Sequence, residues 1–186
     1  KFGAYYGGSS KRSMKNLDLT NKRKNAWGTG LIFNHAIDSI QNVTVAAGFT
    51  REISENANNT SYYRNAYGLG LAYNFVHTTY GLDLERQVTK NQGDKRTKNE
   101  VRAVVRQGLN EDWNVYAMYA YKTDKQFGDT DRTRQFMVGT EYYVYNQGSL
   151  KVKPFLEWQA TRTKYENSTV DRSRDFKTVI GLRAYW

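Results

Sequence analysis

The sequence predicts an all-β protein, an antiparallel up-and-down barrel of about ten strands with twelve as the alternative count, on three observations. Period-two alternation of apolar and polar residues runs nearly end to end, and helical periodicity is hard to find. A single proline in 186 residues leaves the backbone almost uninterrupted. Short, turn-like connections and longer polar ones follow one another in strict alternation, as in a meander with unequal ends.

The strands are expected at about 2–10, 25–35, 42–53, 62–76, 80–89, 98–109, 113–123, 133–145, 149–163 and 174–186. The first opens the chain directly. The second sets Trp27 on an apolar face with Gly28 and Gly30 opposite, and the third puts Gly48 and Glu52 on the polar face. In the fourth, "YGLGLAYNF", Tyr67, Leu69, Leu71, Tyr73 and Phe75 alternate with Gly68, Gly70, Ala72 and Asn74. The fifth carries Tyr80 outward of Asp83 and Glu85. The sixth, "EVRAVVRQG", opposes Val101, Ala103 and Val105 to Glu100, Arg102, Val104 and Arg106. The seventh has Trp113 and Tyr121 on the apolar face and Lys122 on the other; the eighth has Tyr142 against Gly139 and Glu141. In the ninth, "LKVKPFLEW", Leu150, Val152, Leu156 and Trp158 alternate with Lys151, Lys153, Phe155 and Glu157. The tenth alternates Phe176, Thr178, Ile180, Leu182, Ala184 and Trp186 with Lys177, Val179, Gly181, Arg183 and Tyr185.

"AIDSIQ", "VHTT", "NED" and "NQGS" read as turns. "SKRSMKNLDLTNKRKN", "SENANNTS", "TKNQGDKRTK", "KTDKQFGDTDRT" and "KYENSTVDRS" read as long loops. A meander places the turns and both termini at one end and the five loops at the other. No composition shift divides the chain, so residues 1–186 are expected to form one domain, either alone or as the C-terminal barrel of a longer protein. The chain opens without a signal peptide, so a removed leader or an upstream domain is expected.

Composition sorts the function classes. Absence of cysteine removes disulfides, thiol nucleophiles and thiolate metal sites. Mean hydropathy is −0.81, and no apolar run approaches the roughly 20 residues of a transmembrane helix. Fifteen tyrosines and four tryptophans are many for so polar a chain, and a net charge of +10 attracts polyanions.

Alternation alone leaves open which face points inward. A soluble barrel would bury the apolar face; a membrane barrel turns it to lipid, where only closed barrels and helices satisfy every backbone amide. The unequal ends, the strand lengths and the aromatic residues at strand ends (Trp27, Phe75, Tyr80, Trp113, Tyr121, Tyr142, Trp158, Trp186) favour lipid. So do the glycines of the polar face, which weaken a solvated strand but leave room inside a narrow barrel. The expected fold is thus a closed transmembrane β-barrel.

The ending "VIGLRAYW" resembles the C-terminal strand of Gram-negative outer-membrane proteins of the porin-like class, with an aromatic terminus and apolar residues at alternate positions. In that class the last strand is read by the barrel-assembly machinery, and the resemblance carries this role to Ile180, Leu182 and Trp186. Trp186 stands where phenylalanine is usual, and Ala184 is small for its position. The resemblance implies the bacterial outer membrane, with its lipid and lipopolysaccharide as surroundings.

The polar face would then line a pore with Glu52, Asp83, Glu85, Glu100, Arg102, Arg106, Lys122, Glu141, Lys151, Lys153, Glu157, Lys177 and Arg183. Acids gather on early strands and bases on later ones, so an acidic wall is expected to face a basic one across the lumen. The bland expectation is a filled interior in which these charges pair. In the first loop, Lys11, Arg12, Lys15, Lys22, Arg23 and Lys24 against Asp18 are expected to contact a polyanion such as lipopolysaccharide phosphate, or to be a solvated charged loop.

Catalysis finds few candidates. A ten-stranded omptin-type protease needs histidine and carboxylates at the loop end, whereas His35 and His77 fall at turns. Metal clusters, cofactor loops and nucleic-acid signatures are not found in the sequence. The expected function is a passive channel for small polar, anionic solutes. The rival is the anchoring or translocating barrel of a secretion, polysaccharide-export or surface-assembly protein.

Overall fold

The computed structural model describes residues 2–10, 21–56, 61–91, 93–147, 150–167 and 172–185. Its strands are β1 (Phe2–Ser10), β2 (Asn21–Ala36), β3 (Gln41–Asn56), β4 (Ser61–Phe75), β5 (Thr78–Asn91), β6 (Asp94–Gly108), β7 (Trp113–Gln126), β8 (Asp129–Tyr142), β9 (Tyr145–Gln147), β10 (Leu150–Lys164) and β11 (Arg172–Tyr185). All belong to one antiparallel sheet in the order β1-β2-β3-β4-β5-β6-β7-β8-β10-β11, with β9 pairing β10 off this path. Ten strands therefore follow chain order, as the meander requires. Between β1 and β11 the ladder is open among the described residues, where a closed barrel was expected.

Two expectations about loops are corrected. "TKNQGDKRTK" and "KTDKQFGDTDRT" are strand for most of their length and end in tight hairpins, with Asn91 paired to Asp94 and Gln126 to Asp129. Gly93 has φ 96°, and Phe127 and Gly128 have φ 52° and 97°. Glycine holds such left-handed turns at little cost, so the chain can reverse without the longer loop that polarity alone implied. Strands β2–β8, β10 and β11 run to 14–16 residues, past the roughly 9–11 of a bare bilayer crossing. At the other end, the β6–β7 turn is held by Asn110 Oδ1, which accepts from the amides of Asp112 (2.9 Å) and Trp113 (2.8 Å). Asn146 and Gln147 of "NQGS" belong to β9, and the strand expected at 133–145 ends at Tyr142.

Register keeps sidedness constant across the sheet. One face collects Gly3, Gly30, Gly48 and Gly68 in a single cross-strand row, followed on β5 by Glu85. The other collects Leu69, Leu84 and Val101, then Tyr119, Phe136 and Ala160 on later strands. A one-residue slip anywhere would exchange the two sets. This second face is exposed: Phe176 shows 70% of its surface and Ile180 79%, and Trp27, Leu69, Leu82, Trp113 and Leu156 are all open. Among the described residues, Ala120 (0% exposed) is the one buried apolar side chain, whereas Glu141 (3%) and Lys153 (5%) are buried and charged.

Candidate functional site

The polar face is the site. Strands are spaced about 4.8 Å apart, so residues two strands apart on a flat sheet lie about 10 Å from each other. Here side chains close that gap three times: Arg106 of β6 reaches Glu141 of β8, Tyr116 of β7 reaches Glu157 of β10, and Arg183 of β11 reaches Glu141. Contacts of this kind mark the polar face as concave.

Near the turn end the charges knit around Glu141. Lys153 Nζ donates to its Oε1 at 3.0 Å, Arg183 reaches Oε2 at 3.1 Å, and Arg106 pairs with it as well. Arg183 also donates to Glu157 at 2.6 Å, and so does the Tyr116 hydroxyl at 2.6 Å. The Arg183 guanidinium lies 4.0 Å from the centre of the Phe155 ring, and Lys153 Nζ lies 4.9 Å from that of Tyr143. A carboxylate removed from water is costly unless paired, and three cations here meet that need.

The rings complete the filling. Register sets Tyr116 opposite Gly139 and Phe155 opposite Gly181, and a Cβ on either glycine would stand 2.5 Å from the facing ring. These glycines are therefore seats for aromatic rings. A second network sits at mid-height, where Arg102 pairs with Glu100 (2.8 Å) and Asp83 (4.0 Å), and Lys122 pairs with Glu100 (3.2 Å). A third lies at the hairpin end, with Arg96 gripping both oxygens of Asp124 at 2.8 and 2.5 Å and Lys98 at 3.5 Å.

The face over β2–β6 differs. Gly30, Gly48, Gly68 and Gly70 with Ala46 and Ala66 leave a cavity of about 800 Å³ that reaches Asp83, Glu85, Glu100 and Arg102. At Gly68 a Cβ would meet nothing within 4 Å, so glycine there leaves open room and seats no ring.

By register, the pore-lining residues expected from sequence share the polar face. Glu52 stands opposite Arg64, Glu85 opposite Glu100, and Lys177 opposite Gln159; Lys151 pairs in register with Tyr185. Arg102 and Lys122 pair with Glu100 from beside it, and bases surround Glu141, so these charges are met by near neighbours on the same face. Among the described residues Lys177 makes no ion pair.

Lys11, Arg12 and Lys15 of the first loop lie outside the described residues, as does Trp186. Lys22, Arg23 and Lys24, expected in that loop, belong to β2, with Arg23 opposite Ser10 and Lys24 opposite Ser9. Ile180 and Leu182 are exposed on the apolar face of β11. His35 is the penultimate residue of β2 and His77 lies in the β4–β5 turn, at the short-turn end. The sequence places Phe155, Gly139 and Gly181 on the polar face, but Tyr116 and the seating of each ring on a glycine emerge only from strand register. No protein-family model matches the chain, and no curated protein sequence matches it.

Proposed function

We propose that the chain is a bacterial outer-membrane β-barrel, joined along β1 and β11, that passes small polar solutes through a narrow lumen beside its glycine-lined strands. The inverted burial carries this reading. About twenty large apolar side chains stand open on one face; at about 1 kcal/mol forfeited for each half-exposed group, water would cost about 20 kcal/mol, more than a domain's whole stability. Hydrocarbon removes that cost. Aromatic residues eight apart, Tyr67 and Phe75 on β4 and Trp113 and Tyr121 on β7, span about 27 Å along a strand. A tilt of about 40° brings this near the apolar band of such barrels.

Paired networks leave little field in the lumen, so the anion preference expected from composition should be weak and come from unpaired bases such as Lys177. Conductance across a planar bilayer tests the channel: steps are expected from the parent, and Gly68→Tyr, which has open space to occupy, should lower them while the protein still folds. The filled half between Tyr116 and Phe155 favours the second reading, an anchoring or translocating barrel of a larger machine. Stable insertion without conductance would select it.

A further inference from the structure

Above the apolar band, the outward face carries cations in ranks. Register sets Arg134, Arg162 and Arg174 in one cross-strand row of β8, β10 and β11, and Arg132, Lys164 and Arg172 in the next. All six are exposed. Like charges directly opposite one another destabilise a sheet, so an anion lying over Arg134, Arg162 and Arg174, or over Arg132 and Lys164, would relieve a cost that the register imposes. Among the described residues, Arg132, Arg134, Arg162 and Lys164 form no ion pair. Glu166 accepts from the Thr130 amide, and Asp131 accepts from the Glu166 amide at 3.3 Å.

Two cavities give this grid the shape of an amphiphile. Arg132, Arg134, Arg162, Lys164 and Arg172 enclose, with Tyr121, a recess of about 170 Å³. Lower on the same strands an apolar groove of about 470 Å³ runs past Ala117, Val138, Leu156 and Trp158. Ala117 faces Val138 and Val105, so the small side chain leaves a trough between larger ones. Val138 is four residues below Arg134, and Trp158 four below Arg162, about 13 Å at 3.3 Å per residue. That is within the length of one acyl chain.

We infer that this face binds a multiply phosphorylated membrane lipid, with its phosphates on Arg132, Arg134, Arg162 and Lys164 and an acyl chain in the groove over Ala117. The inference rests on the membrane reading above, and it names which lipid the surface selects. Guanidinium forks suit phosphate oxygens bidentately, and two ranks of cations suit more than one phosphate.

The test uses the full chain in phosphatidylcholine vesicles doped with a bisphosphorylated glucosamine disaccharide lipid, its monophosphorylated form, or phosphatidylglycerol. Lipid retained through detergent extraction is read by native mass spectrometry. The parent should enrich the bisphosphorylated lipid over phosphatidylglycerol about tenfold, and Arg134→Gln with Arg162→Gln should abolish that preference. Excess inorganic pyrophosphate should not displace the lipid. In phosphatidylcholine alone the double variant should be at least as stable as the parent, because the opposed charges are gone. Equal retention by parent and variant, displacement by pyrophosphate, or a variant that unfolds more easily in phosphatidylcholine would each overturn the inference. A parent that fails to float with vesicles would overturn the membrane reading as well; one that floats without preference overturns this inference alone.

Discussion

Val76 opens the β4–β5 turn at φ 52°, a region that β-branched residues rarely adopt, while its amide donates to Ile40 O at 2.9 Å. Asparagine tolerates that conformation and keeps the amide, so Val76→Asn should raise stability by about 1 kcal/mol in chemical unfolding from detergent or vesicles. Glu141 is the opposite case. Replacement by Gln leaves Arg106, Arg183 and the buried Lys153 facing a neutral amide, at a cost of about 3 kcal/mol. The same change adds a net positive charge to the polar face, so under the proposed channel function reversal potentials in a salt gradient should move toward anion selectivity. Either residue could be assigned to a face from alternation, but not its strain or its partners: φ and long-range pairing exist only once the turn and register are set.

At the scale of the hairpin, charge pairs secure the strands beyond the aromatic row. Asp124 and Arg96 lie above the aromatic row, where both faces of β6 and β7 are polar. The hydrogen bonds from the Arg96 guanidinium hold the Asp124 carboxyl below the usual carboxylate range, and the same pair raises Arg96. A depressed carboxylate contributes stability above its unfolded pKa, near 3.9, and loses it as pH falls through the lower folded value. Amide hydrogen exchange, corrected for intrinsic rates, should therefore quicken around Gly93 and Gly128 below about pH 4. Asp124→Asn should remove that pH step. Because both side chains are partly exposed, salt should weaken the effect. These strand extensions explain what the sequence reading missed. "DRTRQ", "TRTK" and "RSRD" each repeat a cation at period two, with Arg134, Arg162 and Arg174 inside the expected strands and Arg132, Lys164 and Arg172 in segments expected as loops because they are polar. Their outward alignment is a property of register between three strands, which no single segment displays.

For the whole molecule, sidedness was the readable part: the alternation in "YGLGLAYNF" and "EVRAVVRQG" fixes which residues share a face, and the structure keeps those faces intact from β1 to β11. Burial then separates the two faces further, with Ile180 open and Glu141 enclosed. The expected behaviour is that the purified chain needs detergent to stay monodisperse, and that size-exclusion chromatography without detergent finds aggregate. Monodisperse protein in plain buffer would refute the membrane reading. The row formed by Gly3, Gly30, Gly48 and Gly68 has its own effect on shape. Four adjacent backbones without Cβ atoms form a crease, and a sheet folds over most easily along such a line. The cross-section of a joined cylinder would then be oval, tightest beside the seam where first and last strands meet, with its widest clearance held next to that bend.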